Sequence, residues 1–149
     1  MAIPANVEDL DQLVSKFLSR LGFDDIVTTL GLVPHAADGE TISLRMPLQD
    51  SIAQANGMYS AAALFGAADI AGTFLAMSTY ADSGQFPLAV QSSQNYMSNS
   101  KTEYVVATAK ILRGGGSVAV AEVSVADADG KALMHATFTY VITERKLGK

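Results

Sequence analysis

The segment MYSAAALFGAADIAGTFLAMST, residues 58–79, has few β-branched residues and no proline, and Asp69 is its one charged residue. Such residues favour helix, and a helix that is apolar on nearly all sides is buried. The segment therefore predicts a long buried central helix. A membrane span is the alternative that its length permits. Its Ala, Gly, Ser and Thr content and the cost of roughly 3 kcal/mol for Asp69 at a bilayer centre disfavour that alternative.

A first helix is predicted well before this segment. Between residues 7 and 21 the apolar residues recur at steps of three and four, which places them on one stripe of a helix. Asn6 is a suitable N-cap, and Gly22 is a suitable end.

A hairpin is predicted between the two helices. Residues 26–35 and 40–48 flank the turn sequence AADG, residues 36–39, and apolar and polar residues alternate in the second run. That alternation predicts a strand with one buried face.

Four more strands are predicted after Pro87, and tight turns predict that they are antiparallel neighbours. Their expected ranges are residues 86–97, 102–113, 117–126 and 131–143. A sheet of this size must cover its apolar face, and the central helix is long enough to lie along it. The predicted fold is therefore α+β, with a curved antiparallel sheet of about six strands around a long central helix. We expect one domain, residues 1–149, with an N-terminal helix in residues 1–22 and the core in residues 23–149.

Composition limits the possible functions. The chain has 149 residues, 49% of them hydrophobic, no cysteine and a net charge of −5. The absence of cysteine rules out disulfides, thiolate metal ligands and a cysteine nucleophile. The acidic balance argues against nucleic-acid binding. The N-terminal residues do not resemble a signal peptide, so a cytoplasmic location is the default expectation.

Three stretches together resemble the hotdog superfamily, and within it the PaaI-type and YiiD C-terminal-like thioesterases. They are GMYSAAALFGAAD at residues 57–69, QNYMSNSK at 94–101, and VVATAKILRGGGSVAVAEVSVADADGKALMHATFTYV at 105–141. The resemblance implies homodimers with a continuous sheet, or dimers of dimers. It also implies active sites between subunits that accept thioesters of coenzyme A or a carrier protein. Coenzyme A would then be part of the substrate, and no separate cofactor or metal is expected.

The sequence departs from the family pattern at two positions. The family's histidine falls on Ser60, and a Ser or Thr of the following strand falls on Ala89. The asparagine before the small-residue turn corresponds to Asn56 or Gln54. These departures keep open a second function, a hotdog protein that binds acyl groups or lipids without catalysis. A dehydratase or hydratase ranks lowest, because such enzymes need a histidine that neither His35 nor His135 supplies.

Asp69 is the main catalytic candidate, because thioester hydrolysis needs an activated water or a carboxylate nucleophile. Gly66 and Gly72 lie three residues to either side of it, and Thr73 lies four residues beyond. On a helix this spacing places Asp69 on a face with little side-chain bulk, which a thin acyl or pantetheine chain could reach. Burial would raise the pKa of Asp69, and a bond from Thr73 would oppose that shift. The alternative is that Asp69 holds the helix in register.

The start of the central helix is the candidate oxyanion site. Free N–H groups of Ser60, Ala61 and Ala62 there could stabilise a developing negative charge. Asn56 is a candidate for positioning the carbonyl, with a turn or N-cap role as its alternative. We further expect Gln54 and Gly57, together with Ala62, Gly66 and Gly72, to contact the substrate.

Overall fold

The computed structural model describes residues 2–80 and 85–146. The helices are α1 (Val7–Ser19), α2 (Ile26–Leu30) and α3 (Ala61–Thr79), and a 3-10 turn covers Asp50–Ile52. The strands are β1 (Val33–Ala37), β2 (Thr41–Pro47), β3 (Gln85–Tyr96), β4 (Tyr104–Gly114), β5 (Val118–Asp127) and β6 (Ala132–Lys146).

The six strands form one antiparallel sheet in the order β1-β2-β4-β5-β6-β3. Helix α3 packs against five of them, from β2 to β6. The predicted α+β architecture, with a long central helix on a six-stranded sheet and an extra N-terminal helix, is therefore confirmed. Asn6 caps α1 as predicted, because its Oδ1 accepts a 2.8 Å hydrogen bond from Asp9 N.

Helix α3 is buried along most of its length. By length and composition it could cross a membrane, but in this fold it is the core helix of the sheet. It begins three residues later than predicted. Backbone bonds from Gln54 N to Met58 O (2.7 Å) and from Ser60 N to Ile52 O (3.1 Å) hold the preceding residues in a loop.

The predicted strand at residues 26–35 is wrong in its first half. Residues 26–30 form α2, because Asp25 Oδ1 accepts hydrogen bonds from Val27 N (3.1 Å) and Thr28 N (3.4 Å) and so caps a helical turn. Gly31 ends the helix with a φ of 66°, a conformation that glycine adopts readily. Only the second half of the predicted strand becomes β1.

The prediction that all later strands are neighbours is also wrong, because β3 pairs with β6 and not with β4. The polar residues between β3 and β4 bond elsewhere instead of closing a hairpin. Asn99 Nδ2 donates to Tyr59 O at 3.0 Å, and Ser100 Oγ donates to Asp127 Oδ2 at 2.9 Å. These bonds hold the segment between β3 and β4 in place as it crosses to β4.

Strand β3 lies at the edge of the sheet, and within the described residues no strand pairs with its second side. Leu88 and Val90 on this strand are 39% and 58% exposed. An exposed edge with apolar side chains is a surface on which another strand can add.

Candidate active site

Asp69 lies in the middle of α3, half-buried, at the junction of two clefts between α3 and β3. The first, which we call the phenylalanine cleft, has a volume of about 240 Å³. It is lined by Phe17, Asp25, Ile26, Val27, Asp69, Ile70, Thr73, Phe74, Met77, Phe86, Pro87, Leu88 and Ala89. The second, the β3 cleft, has a volume of about 380 Å³ and is lined by Phe65, Asp69, Ala89, Val90, Gln91, Ser92 and Phe138. Asp69 thus lines both clefts.

Three aromatic rings shape the phenylalanine cleft. Phe17 of α1 meets Phe74 of α3 edge to face, with ring centroids 5.1 Å apart, and stacks on Phe86 of β3 at 6.2 Å. The N-terminal helix is therefore a wall of this cleft. Apart from Asp69, the charged side chain in its lining is Asp25, which caps α2.

Tyr140 of β6 is the side-chain partner of Asp69. Its hydroxyl lies 2.9 Å from the Asp69 backbone oxygen and 3.3 Å from Asp69 Oδ1. Burial raises the pKa of Asp69, and the hydrogen bond from Tyr140 partly opposes this rise. Burial and the nearby Asp69 charge also raise the pKa of Tyr140, so its hydroxyl remains protonated and can donate.

The structure corrects the expected roles of Gly66 and Gly72, because protein atoms fill the space beside both glycines. A Cβ on Gly72 would lie 2.3 Å from the Tyr140 hydroxyl oxygen, and a Cβ on Gly66 would lie 2.9 Å from Leu30 Cδ1. Neither glycine lines one of the two clefts. They make room for neighbouring side chains rather than for a substrate chain.

Thr73 lines the phenylalanine cleft beside Asp69, as its spacing on the helix predicts. Its hydroxyl interacts with the hydroxyl of Tyr140, whereas among the described residues the one side-chain hydrogen bond to the Asp69 carboxyl comes from Tyr140. Thr73 therefore contacts the Tyr140 hydroxyl, and Tyr140 in turn contacts the Asp69 carboxyl group.

The start of α3 offers two free amides rather than three. Ser60 is the N-cap and its Oγ accepts from Ala63 N at 3.1 Å, but its own N–H donates to Ile52 O. The prediction of a free Ser60 N–H is wrong, since the preceding loop uses it. In the described part of the chain no acceptor bonds the N–H of Ala61 or Ala62, and both residues are exposed.

A tight turn precedes this helix start. Gly57 has a φ of 75°, Gly57 N donates to Gln54 O at 2.8 Å, and Gln54 Oε1 accepts from Asn56 N. The side chain of Asn56 is exposed, whereas the side chain of Gln54 closes the turn. Lys101 approaches this turn, with its Nζ 3.9 Å from the position of a Cβ on Gly57.

One copy of the chain does not bring all the candidates together. Ala61 and Asp69 are eight residues apart on one helix, and a rise of 1.5 Å per residue separates them by about 12 Å. The helix start with Asn56 and the Asp69 clefts are therefore two separate half-sites in a single copy.

Comparison with known proteins agrees with this geometry. The family model described as the thioesterase superfamily matches residues 56–134, more than half of the chain and including the turn, α3 and most of the sheet. The chain belongs to the thioesterase superfamily. No curated protein matches it significantly in sequence.

Solved structures share the fold at low sequence identity, and some of them are described as thioesterases. A thioesterase from Haemophilus influenzae superposes with a TM-score of 0.79 at 18% identity, covering 92% of this chain and 90% of its own. The PaaI protein of the Escherichia coli phenylacetic acid degradation operon gives 0.76 at 15% identity, covering 89% and 91%. A hypothetical thioesterase of Streptococcus pneumoniae, solved with coenzyme A, gives 0.64 at 20% identity, covering 72% and 84%. The hotdog fold is thus that of PaaI-like thioesterases.

The structure shows the surroundings of Ala89 and Ser60, the two positions at which this thioesterase-superfamily chain departs from the family pattern. Ala89 lines both clefts beside Asp69 and brings no hydroxyl to them. Ser60 serves as a helix cap. His135 pairs with Glu122 across β5 and β6, with 3.3 Å between His135 Nε2 and Glu122 Oε2, and lines neither cleft. Asp69 is therefore the main titratable group of the site.

Sequence reasoning missed Tyr140 and the aromatic wall of the cleft. Tyr140 lies on β6 and is fully buried, and a buried tyrosine hydroxyl requires a partner. That requirement was the available signal, but nothing local pointed to a partner 71 residues away. Among the side chains of residues 2–80 and 85–143, no group of three His, Cys, Asp or Glu is placed to hold a metal ion.

Proposed function

We propose that this protein hydrolyses acyl thioesters of coenzyme A or a related thiol carrier. The observation that carries the proposal is the position of Asp69. Its carboxyl is half-buried, accepts one long hydrogen bond, and opens into two clefts in a chain of the thioesterase superfamily. A carboxylate with unused acceptor sites in a cleft is suited to activate water or to attack a carbonyl itself.

The shapes of the two clefts suggest how a thioester would lie. The phenylalanine cleft is apolar apart from Asp25, Asp69 and Thr73, so we place the acyl group there. A cavity of about 150 Å³ can hold benzene, so about 240 Å³ corresponds to an acyl group of roughly ten carbon atoms or fewer. The β3 cleft carries Gln91 and Ser92, and we place the amide-containing thiol arm along it.

The reaction then follows from the groups at the junction. Ionised Asp69 removes a proton from water as the water oxygen bonds to the thioester carbon, and the carbonyl electron pair moves onto its oxygen. When the C=O bond re-forms, the C–S bond breaks, and the thiolate leaves and takes up the proton. In the nucleophilic variant an Asp69 carboxylate oxygen bonds to the thioester carbon, the C–S bond breaks and the thiolate leaves, and water then hydrolyses the anhydride to the free acid and the Asp69 carboxylate.

The oxyanion donors in this proposal are the N–H groups of Ala61 and Ala62, at the positive end of the α3 dipole. Since they lie about 12 Å from Asp69 along the same helix, they must act on a substrate held at Asp69 of a second copy. The exposed edge of β3, with Leu88 and Val90 beside the clefts, supports such a homodimer. The coenzyme A in the Streptococcus pneumoniae structure supports coenzyme A as the thiol.

The second candidate function is acyl binding without hydrolysis. The observation that favours it is Ala89, which lines both clefts where the family has a hydroxyl. In that function the phenylalanine cleft would retain an acyl group, and Asp69 would be a polar feature of its wall.

Thiol release from a panel of acyl-CoAs of increasing length separates the two functions, with Asp69→Ala as the test variant. Hydrolysis by the wild-type protein that the variant loses supports the enzyme. Equal turnover in both removes Asp69 from the mechanism. No hydrolysis across the panel, with an acyl ligand retained in native mass spectrometry, supports binding. Asp38→Asn is the control, because Asp38 lies in the exposed turn before β2 and lines neither cleft.

A further inference from the structure

We infer that Tyr140 is a positioning residue for Asp69, and that its hydroxyl orients the carboxyl group toward the clefts and keeps it in the ionised form. The consequence for turnover rests on the proposed function. The contact itself does not, and it can be tested without activity.

The first argument is that the hydroxyl has two acceptors on one residue. It lies 2.9 Å from Asp69 O and 3.3 Å from Asp69 Oδ1. A phenol donates one hydrogen, which these two oxygens share, and the share of the carboxylate oxygen grows when Asp69 carries its charge. The arrangement fixes the Asp69 side chain relative to its own helix.

The second argument is that Tyr140 is the side-chain donor that the structure places at the Asp69 carboxyl group. Among the side chains of residues 2–80 and 85–143, Tyr140 is the one that donates a hydrogen bond to the Asp69 carboxyl group. Asp25 is the other charged group lining the clefts, and it is negative. A half-buried carboxylate without a cation depends strongly on a single donor.

The third argument is that the fold makes room for the hydroxyl. Gly72 disfavours helix, yet it lies inside α3 where any Cβ would come within 2.3 Å of the Tyr140 hydroxyl oxygen. The ring atoms Cζ and Cε2 of Tyr140 would lie 3.1 and 3.2 Å from that Cβ, so the glycine makes room for the ring edge that carries the hydroxyl. The glycine and the tyrosine hydroxyl therefore form a matched pair that delivers a donor to Asp69.

The protonation of the donor is consistent with this role. Burial and the Asp69 charge raise the pKa of Tyr140, so the hydroxyl keeps its proton wherever Asp69 is ionised. Burial raises the pKa of Asp69 and the Tyr140 bond lowers it. Removal of the hydroxyl leaves burial unopposed, so the Asp69 pKa must rise further.

Tyr140→Phe is the test variant, because it keeps the ring and its stacking on Phe138 at 5.9 Å. Tyr80→Phe is the control, since it removes a tyrosine hydroxyl that donates to Gly115 O, and neither residue lines the two clefts. We expect Tyr140→Phe to lower kcat at neutral pH about ten- to a hundredfold, the usual effect of a hydrogen bond to a charged group. KM should change little, and the acidic limb of the pH–rate profile should move to higher pH. The control should keep the wild-type profile.

Direct titration of the Asp69 carboxyl carbon by NMR, in the wild type and in both variants, decides the inference even if no acyl-CoA is hydrolysed. A higher Asp69 pKa in Tyr140→Phe than in wild type and Tyr80→Phe supports it. An unchanged Asp69 pKa overturns it, as does a Tyr140→Phe enzyme that loses stability but keeps the wild-type pH profile. If Asp69→Ala is fully active while the titration still shifts, the contact stands and the proposed mechanism fails.

Discussion

Asp69 and Asp127 are two shielded carboxyl groups with opposite surroundings. Asp127 lies in the β5–β6 turn and accepts from Ser100 Oγ at 2.9 Å and from the N–H groups of Asp129 and Lys131 at 3.0 and 2.9 Å. The backbone bond from Lys131 is the main reason that its pKa is lowered. Asp69 accepts one side-chain bond at 3.3 Å, and burial raises its pKa.

Burial does not by itself mark a functional carboxylate. Asp127 uses its acceptor sites to hold the turn and the crossing loop in place. Asp69 accepts one bond from the described side chains and lines two clefts. Unused acceptors beside open space are the feature that suits a carboxylate to chemistry.

Substitution of Asp69 should lower turnover strongly, whereas substitution of Asp127 should leave turnover nearly unchanged. Asp69→Asn should lower kcat for acyl-CoA hydrolysis by about 100- to 10,000-fold, the usual contribution of a general base. Asp127→Asn should keep kcat within about twofold and lower the melting temperature, because it weakens the bonds at the turn. Thiol release and thermal unfolding of both variants test this. Equal loss of turnover in the two variants would break the comparison.

How far the sequence could predict these two regions depends on the range of the interactions. Helix α3 and strands β4 to β6 were predicted because their composition and turns are local features. Residues 26–30 were mispredicted because five residues cannot show a helical period, and the Asp25 cap decided their conformation. The sequence identifies Asp69 because it is the one charged residue of its segment. It does not identify the Tyr140 contact or the cleft wall formed by Phe17, because both arise from packing between distant segments.

Asp69 lines the phenylalanine cleft, whose wall includes Phe17, whereas Asp127 lines neither cleft. Phe17→Ala should lower the free energy of unfolding by about 3 kcal/mol and extend the phenylalanine cleft, so that turnover shifts toward longer acyl chains. Leu10→Ala is the control, because Leu10 is fully buried on the same helix but does not line the cleft. It should lose comparable stability with an unchanged preference for acyl length.

An unchanged length profile in Phe17→Ala would place the acyl group elsewhere. Phe17→Leu removes less volume, and it serves the same test if the alanine variant does not fold.

The third prediction concerns the glycines around Asp69. Gly72→Ala should lower the free energy of unfolding by about 1–2 kcal/mol, because its Cβ meets the Tyr140 hydroxyl oxygen at 2.3 Å and overpacking outweighs the gain in helix propensity. Gly66→Ala meets the flexible end of Leu30 at 2.9 Å and should be nearly neutral. Chemical denaturation measures both. A Gly72→Ala protein as stable as wild type would show that Tyr140 can move freely away from Asp69.

The smallest expected effect is a pair of opposite pH dependences of stability. The raised pKa of Asp69 means that the folded state holds its proton more tightly than the unfolded state, so stability falls as pH rises from the ordinary value of 3.8 through the raised pKa. The lowered pKa of Asp127 means the reverse, so stability falls as pH drops from 3.8 through the lowered value. Asp69→Asn should therefore gain stability relative to wild type on the alkaline side of 3.8, and Asp127→Asn should flatten the loss on the acidic side. Urea denaturation from pH 2.5 to 7 measures both slopes. If Asp69→Asn loses stability relative to wild type as pH rises, then Asp69 has bonding partners in its charged form like those of Asp127, and the contrast between the two carboxylates is wrong.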